Sequence, residues 1–285
     1  MKKGKVLFFL LPAFFIVFTL AFPASAHAYS LGFKFEIGSA AGFNFPALNT
    51  SYHNHFAPTF EPGAYESYAN QTLSLKGKRA TGLNAVFCFY PLENFGFQVL
   101  VGYSKCTITG KNTDYDVSLT HEGFTWQRTL DMPDTKGHLK QFTYSFNAAT
   151  RIGITNLVVL GFSGGVSLFD ISGRFTSLGY TRFWEEQSAE QTKLFIKDYK
   201  LGAEFGSTKL GFNAGGEFNI DLILKIALFV DIRYFYCPKV QTKLKLISDP
   251  IITEPIDQLE KEMNLGVLNL NPSFFQINIG FKYIF

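Results

Sequence analysis

Phe274-Phe-Gln-Ile-Asn-Ile-Gly-Phe-Lys-Tyr-Ile-Phe285 is the stretch that decides how this chain folds. Taken at every second position, one face reads Phe275, Ile277, Ile279, Phe281, Tyr283 and Phe285. The other carries Gln276, Asn278, Gly280 and Lys282, with Ile284 its one aliphatic near the end. A period of two marks a strand with unlike faces, because successive side chains leave opposite sides of the pleat. In a water-soluble sheet the apolar face would meet a core, but here the chain stops on it at an aromatic.

The stretch resembles the C-terminal strand of bacterial outer-membrane β-barrels, which typically ends in Phe after alternating hydrophobic residues. The resemblance implies that Phe281, Tyr283 and Phe285 form the signal read by the outer-membrane assembly machinery. The other end of the chain agrees. Lys2, Lys3 and Lys5 precede an apolar run of 17 residues from position 6 to 22, and Pro23-Ala-Ser-Ala-His-Ala28 supplies small residues at the spacing of a cleavage site. That is the build of a secretory signal peptide over residues 1–28, cut after Ala26 or Ala28. The run is shorter than the ~20 residues a spanning helix needs, and Pro12 interrupts it. Residues 29–285 are then expected as one outer-membrane β-barrel in the cell outer membrane.

The whole chain has 26 basic and 23 acidic residues, and the leader holds three of the lysines and no acid, so the mature chain is neutral. The basic balance is therefore a targeting feature and gives no reason to expect nucleic acid as a partner. Aromatic content is 17%, from 33 Phe and 13 Tyr, and no stretch after the leader is apolar for 18 residues. Aromatic-rich alternation without helical spans is the pattern of a transmembrane barrel. Cys88, Cys106 and Cys237 are odd in number, so at least one is unpaired; Cys106 and Cys237, near the loop-side ends of their strands, could meet.

Eight segments repeat the pattern of the last one, with ten the alternative count. They cover residues 31–45, 80–90, 95–109, 140–155, 157–171, 209–220, 224–236 and 274–285. The outward series includes Phe33, Phe35 and Ile37 in the first, Phe142, Tyr144 and Phe146 in the fourth, and Leu224 through Tyr236 in the seventh. Connections after the second, fourth and sixth segments are a few residues long. Those after the first, third, fifth and seventh are long, at about 46–79, 110–139, 172–208 and 237–272. Short turns on one rim and long loops on the other is the asymmetry of outer-membrane barrels. The expected fold is all-β: an eight-stranded antiparallel transmembrane β-barrel with short periplasmic turns and four long extracellular loops. A soluble barrel with its apolar face inward is the competing architecture.

A narrow membrane barrel turns aliphatic and aromatic residues to lipid and small or polar ones inward. The charges predicted to point inward are Lys34, Glu36, Arg151, Glu217, Lys225, Asp231, Arg233 and Lys282. Glu36, Arg151, Glu217 and Lys282 fall in the half nearer the short turns, with Asp231 and Arg233 higher. Eight strands leave little bore, so these charges are expected to pair into a plug; a switchable ion gate is the alternative.

For chemistry the constellations are thin. His53-Asn-His55 offers two imidazoles without a third metal ligand, and His121 and His138 lie in or beside long loops. No metal, cofactor or catalytic residue is assigned, and a lipid-modifying hydrolase is kept as an alternative without named residues. The first loop gathers Tyr52, Phe56, Phe60, Tyr65 and Tyr68, aromatics suited to a partner or glycan, or to packing on one another. In the last loop Pro255 fits a helix start, with Ile256, Leu259 and Met263 on one face of a short capping helix.

Taken as a whole, the chain resembles the small outer-membrane barrels of the OmpA transmembrane-domain and OmpX type. The resemblance rests on architecture and the terminal motif, not on a shared site. The chain ends at the eighth strand, so the peptidoglycan-binding domain that follows the barrel in OmpA-type proteins is expected to be absent. The function expected is non-enzymatic: surface binding, adhesion or envelope integrity carried by the extracellular loops. A small-solute or ion channel is the alternative. The expected partners are outer-membrane lipid and lipopolysaccharide, the assembly machinery, and an extracellular ligand or host surface, with the protein a monomer.

Overall fold

A computed structural model of the chain describes residues 33–56, 66–112, 115–121, 124–130, 134–187, 192–222, 225–247, 260 and 265–285. Eight strands, numbered in chain order, form a closed ring. Around it run β1 (Lys34–Pro46), β4 (Ala80–Leu92), β5 (Phe95–Asn112), β8 (Thr135–Gly153), β9 (Val158–Gln187), β10 (Thr192–Asp221), β11 (Ile226–Tyr236) and β15 (Phe274–Ile284), which returns to β1. Every neighbouring pair in the ring is antiparallel. The seam joins the first and last strands with Gly42 opposite Asn278, and the Phe285 N–H donates to Phe35 O at 2.9 Å. Closure leaves the spanning backbone no unpaired edge, which lipid would not tolerate.

The in–out alternation follows from the residues. On β8, Phe142, Tyr144 and Phe146 are exposed while Gln141, Thr143, Ser145 and Asn147 are buried. On β11, Ile232, Tyr234 and Tyr236 face out, and Asp231 and Arg233 are buried. Phe281, Tyr283 and Phe285 are 58%, 44% and 59% exposed on the outer wall, so the wall is an apolar band and the lumen is polar. This is the reverse of a soluble barrel and defines a transmembrane one.

The long connections are not structureless. β2 (Asn49–Phe56) pairs with β3 (Glu66–Gly77), which pairs in turn with the top of β5 and with β6 (Tyr115–His121); β6 pairs with β7 (Phe124–Leu130). The third connection is mostly strand as well: β9 and β10 run as one hairpin through the span expected to be loop, with a register shift at Tyr199/Lys200. The fourth contributes β12 (Val240–Lys243), β13 (Lys245–Ile247) and β14 (Val267–Leu270). Backbone groups above the membrane still need partners, and extending the ladders supplies them. Of the expected capping helix only Glu260 lies within the described residues; it is helical, and its Oε1 accepts from Leu246 N–H at 3.0 Å.

One further expectation is corrected, and the open question of cysteine pairing is answered. Lys225 is not in the lumen: it is exposed in the turn before β11, with φ at 65°, because the chain must reverse there before the inward series begins at Ala227. Cys106 and Cys237 are buried in the same apolar cluster but are free thiols, as is Cys88.

Above the apolar band the polarity of the two faces inverts. On β9 the outward series changes from Val166 and Leu168 to Asp170, Ser172 and Arg174, and the inward series from Gly165 and Ser167 to Phe169, Ile171 and Phe175. Apolar doublets mark the changeover: Leu168-Phe169, Phe235-Tyr236 and Phe274-Phe275. The inner members stack across three strands, Phe235 on Phe274 at 4.6 Å and Phe169 edge-on to Phe235 at 6.3 Å. The upper tube is thus built like a soluble barrel, with its core inside, because water rather than lipid surrounds it.

Candidate functional site: the filled lumen

Two polar groups and one apolar plug occupy the interior. Nearest the short turns, Glu36 on β1 receives Arg151 at 2.7 Å, Lys282 at 3.4 Å and Lys34 at 3.6 Å. Lys282 also donates to Glu217 on β10. Its ammonium sits 4.8 Å over the Phe229 ring, and the Arg151 guanidinium lies 5.3 Å over Tyr90. Lys282 is 1% exposed, so its charge is tolerable only because two carboxylates and a ring face replace water.

The second group surrounds Arg233, also 1% exposed. Its guanidinium donates to Asp231 Oδ1 at 3.0 Å, Asn213 Oδ1 at 2.5 Å, Ser163 Oγ at 2.6 Å and Gln98 Oε1 at 3.1 Å. Asn278 donates to Asp231 Oδ2 at 3.3 Å, and the Asn147 amide lies between Gln98 and Asn213. Its direct partners come from β5, β9, β10 and β11, and Asn147 on β8 and Asn278 on β15 join through them, so one network ties most of the ring together.

The structure therefore brings Glu36, Arg151, Glu217 and Lys282 into one group and Asp231 and Arg233 into another, higher one. The period of two puts Gln98, Asn147, Ser163, Asn213 and Asn278 on the inward face, but it does not show that they gather around Arg233 and Asp231. Nor does it show that each buried cation crosses a glycine. Gly38 is the register partner of Lys282 and Gly215 that of Arg233, a signal that small residues opposite an inward cation could have given.

Above these groups, Asn44, Asn84, Ser104, Thr143, Ser145 and Gln276 line a cavity of about 10 Å³. Both polar atoms of the Asn44 amide lack a protein partner among the described residues, and the space suits a single water. Beyond it the apolar plug begins, with Leu75, Ile108, Leu139, Phe169 and Phe175 from the wall and Val240, Leu244, Leu246, Leu268 and Leu270 from the fourth connection. That segment is tied down at several points. Gln141 Nε2 donates to Pro272 O at 2.7 Å, Thr50 Oγ1 to Asn269 O at 2.8 Å, and Ser273 Oγ both accepts from Cys237 N and donates to Cys237 O.

Among the aromatic candidates of the first connection, Tyr52 is turned against this plug, and its hydroxyl accepts the Gly266 N–H at 2.7 Å. It is a packing residue, partly buried. Phe56 and Tyr68 are placed on β2 and β3 by their backbone, while Phe60 and Tyr65 lie outside the described residues. His53 Nδ1 shares a 2.9 Å hydrogen bond with Thr72 Oγ1, its register partner.

Fold and interior together define a small transmembrane β-barrel with a filled lumen. No protein-family model matches the chain. No curated protein matches it either. Among solved structures it is similar to the outer membrane protein OprG from Pseudomonas aeruginosa, at 14% identity and a TM-score of 0.44, over 88% of this chain and 95% of that one. It is similar to Ail, the attachment invasion locus protein of Yersinia pestis, at 11% identity and 0.33, over 88% and 98%. It is also similar to the outer membrane protease OmpT from Escherichia coli, at 9% identity and 0.40, over 92% and 100%. Likeness at this level assigns no role.

Proposed function

We propose that this protein is an integral outer-membrane barrel with a closed lumen, non-enzymatic, whose work is done at the cell surface by the tube built from its long connections. In this reading the leader exports it and the assembly machinery inserts it as a monomer through the strand ending in Phe281, Tyr283 and Phe285. The supporting observation is the filling of the bore by paired charges in its lower half and by apolar packing above. A surface role in adhesion or envelope integrity needs a rigid, sealed platform, and both fillings supply one.

The channel reading draws on the same ion pairs, since Lys282 lies between two carboxylates. Planar-bilayer recording separates the two. The closed-lumen reading expects no single-channel steps from the purified protein; steps that change on Glu217→Ala would overturn it. The lipid-modifying alternative draws no support from the two described imidazoles, one bonded to Thr72 and the other, His138, on the outer wall.

A further inference from the structure

Directly above the apolar band, the outer wall of β5, β8 and β9 turns cationic within one rung. Tyr103 and Phe142 are register partners with rings 4.7 Å apart, an aromatic pair of the kind placed at a membrane interface. The next outward rung pairs Lys105 with Lys140, and the one above places His138 against Arg174. Lys78, bonded through its N–H to Thr107 O, and Arg79 extend the patch on one side. Like charges directly opposite on a sheet are destabilising, so a protein without an external anion would not gain from this arrangement. The nearest acids by register are Asp170, diagonal to Lys140, and Glu204, opposite Arg174; neither faces Lys105. Among the described residues, none of the four central cations is in a salt bridge.

We propose that Lys105, Lys140, His138 and Arg174 form a binding site for the phosphate groups of membrane-lipid headgroups. The height is right: the site begins one rung, roughly 6.6 Å of strand, above the aromatic pair, where headgroup phosphates meet an apolar band. The chemistry is right as well, with several cations on a rigid sheet converging on an anion that is itself held at the surface. His138 takes part as a reporter. Partial burial first, and then Arg174, Lys140 and Lys105, hold its pKa below the ordinary range, and a bound phosphate would raise it. The site rests on the reading that the apolar band lies in a bilayer.

The test uses the full protein extracted in zwitterionic detergent, with phosphorylated lipid A, the same lipid enzymatically dephosphorylated, and inorganic phosphate as probes. Bound lipid is counted by native mass spectrometry. The expected result is selective retention of the phosphorylated lipid. Lys105→Gln/Lys140→Gln should weaken it about thirty-fold, the effect of two cations at an anionic surface, while Lys225→Gln at the opposite rim leaves it unchanged. Equal retention of the dephosphorylated lipid, full retention by the double variant, or displacement by millimolar inorganic phosphate overturns the proposal. Insertion is read separately by heat-modifiable migration. A barrel that inserts without lipid preference rejects the site alone; one that does not insert rejects the site together with the membrane reading.

Discussion

Lys282 lies opposite Gly38 across the seam between the first and last strands, and its stem runs through the space a side chain at 38 would need. A Cβ on Gly38 would come within 2.7 Å of Lys282 Cγ and 2.6 Å of Phe281 O. Gly38→Val should therefore push Lys282 off its carboxylates and strain the seam, costing roughly 1–3 kcal/mol as an overpacked interior does. Urea unfolding of the protein in lipid vesicles measures it. Ser39→Val, on the exposed side of the same strand, is the comparison and should be nearly neutral.

Removing the cation itself should cost more. Lys282→Met leaves Glu217 without its ion-pair partner and Glu36 with two of its three cations. A loss of roughly 3–5 kcal/mol is expected, since an uncompensated buried charge remains. Adding Glu217→Gln to Lys282→Met should recover much of it, and a double-mutant cycle gives the coupling. Strictly additive losses would mean that the two side chains do not act as a pair.

Phe285→Asp separates folded-state energy from assembly. Phe285 is exposed on the outer wall at the short-turn rim, where a charge costs only ~1 kcal/mol. If the strand is the assembly signal, the variant should cross the inner membrane normally yet accumulate outside the outer-membrane fraction far beyond that small cost. Lys282→Ala, on the other face, should leave recognition intact. Normal insertion of Phe285→Asp would show that the strand end is not read.

The free thiols above the band give a pH-dependent test. Burial pushes Cys106 up to about 11 and Cys237 up to about 12. Because the thiolate is the reacting form, both should resist alkylation at neutral pH in the folded protein and react on unfolding. In the folded state reaction should begin only as pH rises toward those values, not near 9 as for an exposed thiol. Peptide mass analysis after iodoacetamide reads this, and a Cys106–Cys237 disulfide in the native protein would contradict the structure.

The ring strands were legible because a period of two is a local property: neighbours in the chain already say which residues share a face. The eight segments and their outward aromatics, from Phe35 to Phe285, needed no knowledge of partners. The same rule misled above the membrane. Alternation continues through Phe169-Asp-Ile-Ser-Gly-Arg-Phe175, but its phase is inverted, so a lipid-facing series alone does not mark it as strand. The doublet Leu168-Phe169 was the available sign of the switch.

By itself, then, the sequence determined the strand positions, the in–out sense within the band and the set of charges turned inward, with Lys225 the exception. Only the tertiary structure decided which charges meet. Lys282 joins Glu217 and Glu36 from two other strands, Arg233 collects neutral partners from around the ring, and Cys106 and Cys237 share a cluster without bonding. The physical reason is closure. Face is set by the residue next door, whereas height and angle around the lumen are set by the cumulative stagger of eight registers, and that stagger is fixed only when the last strand pairs with the first.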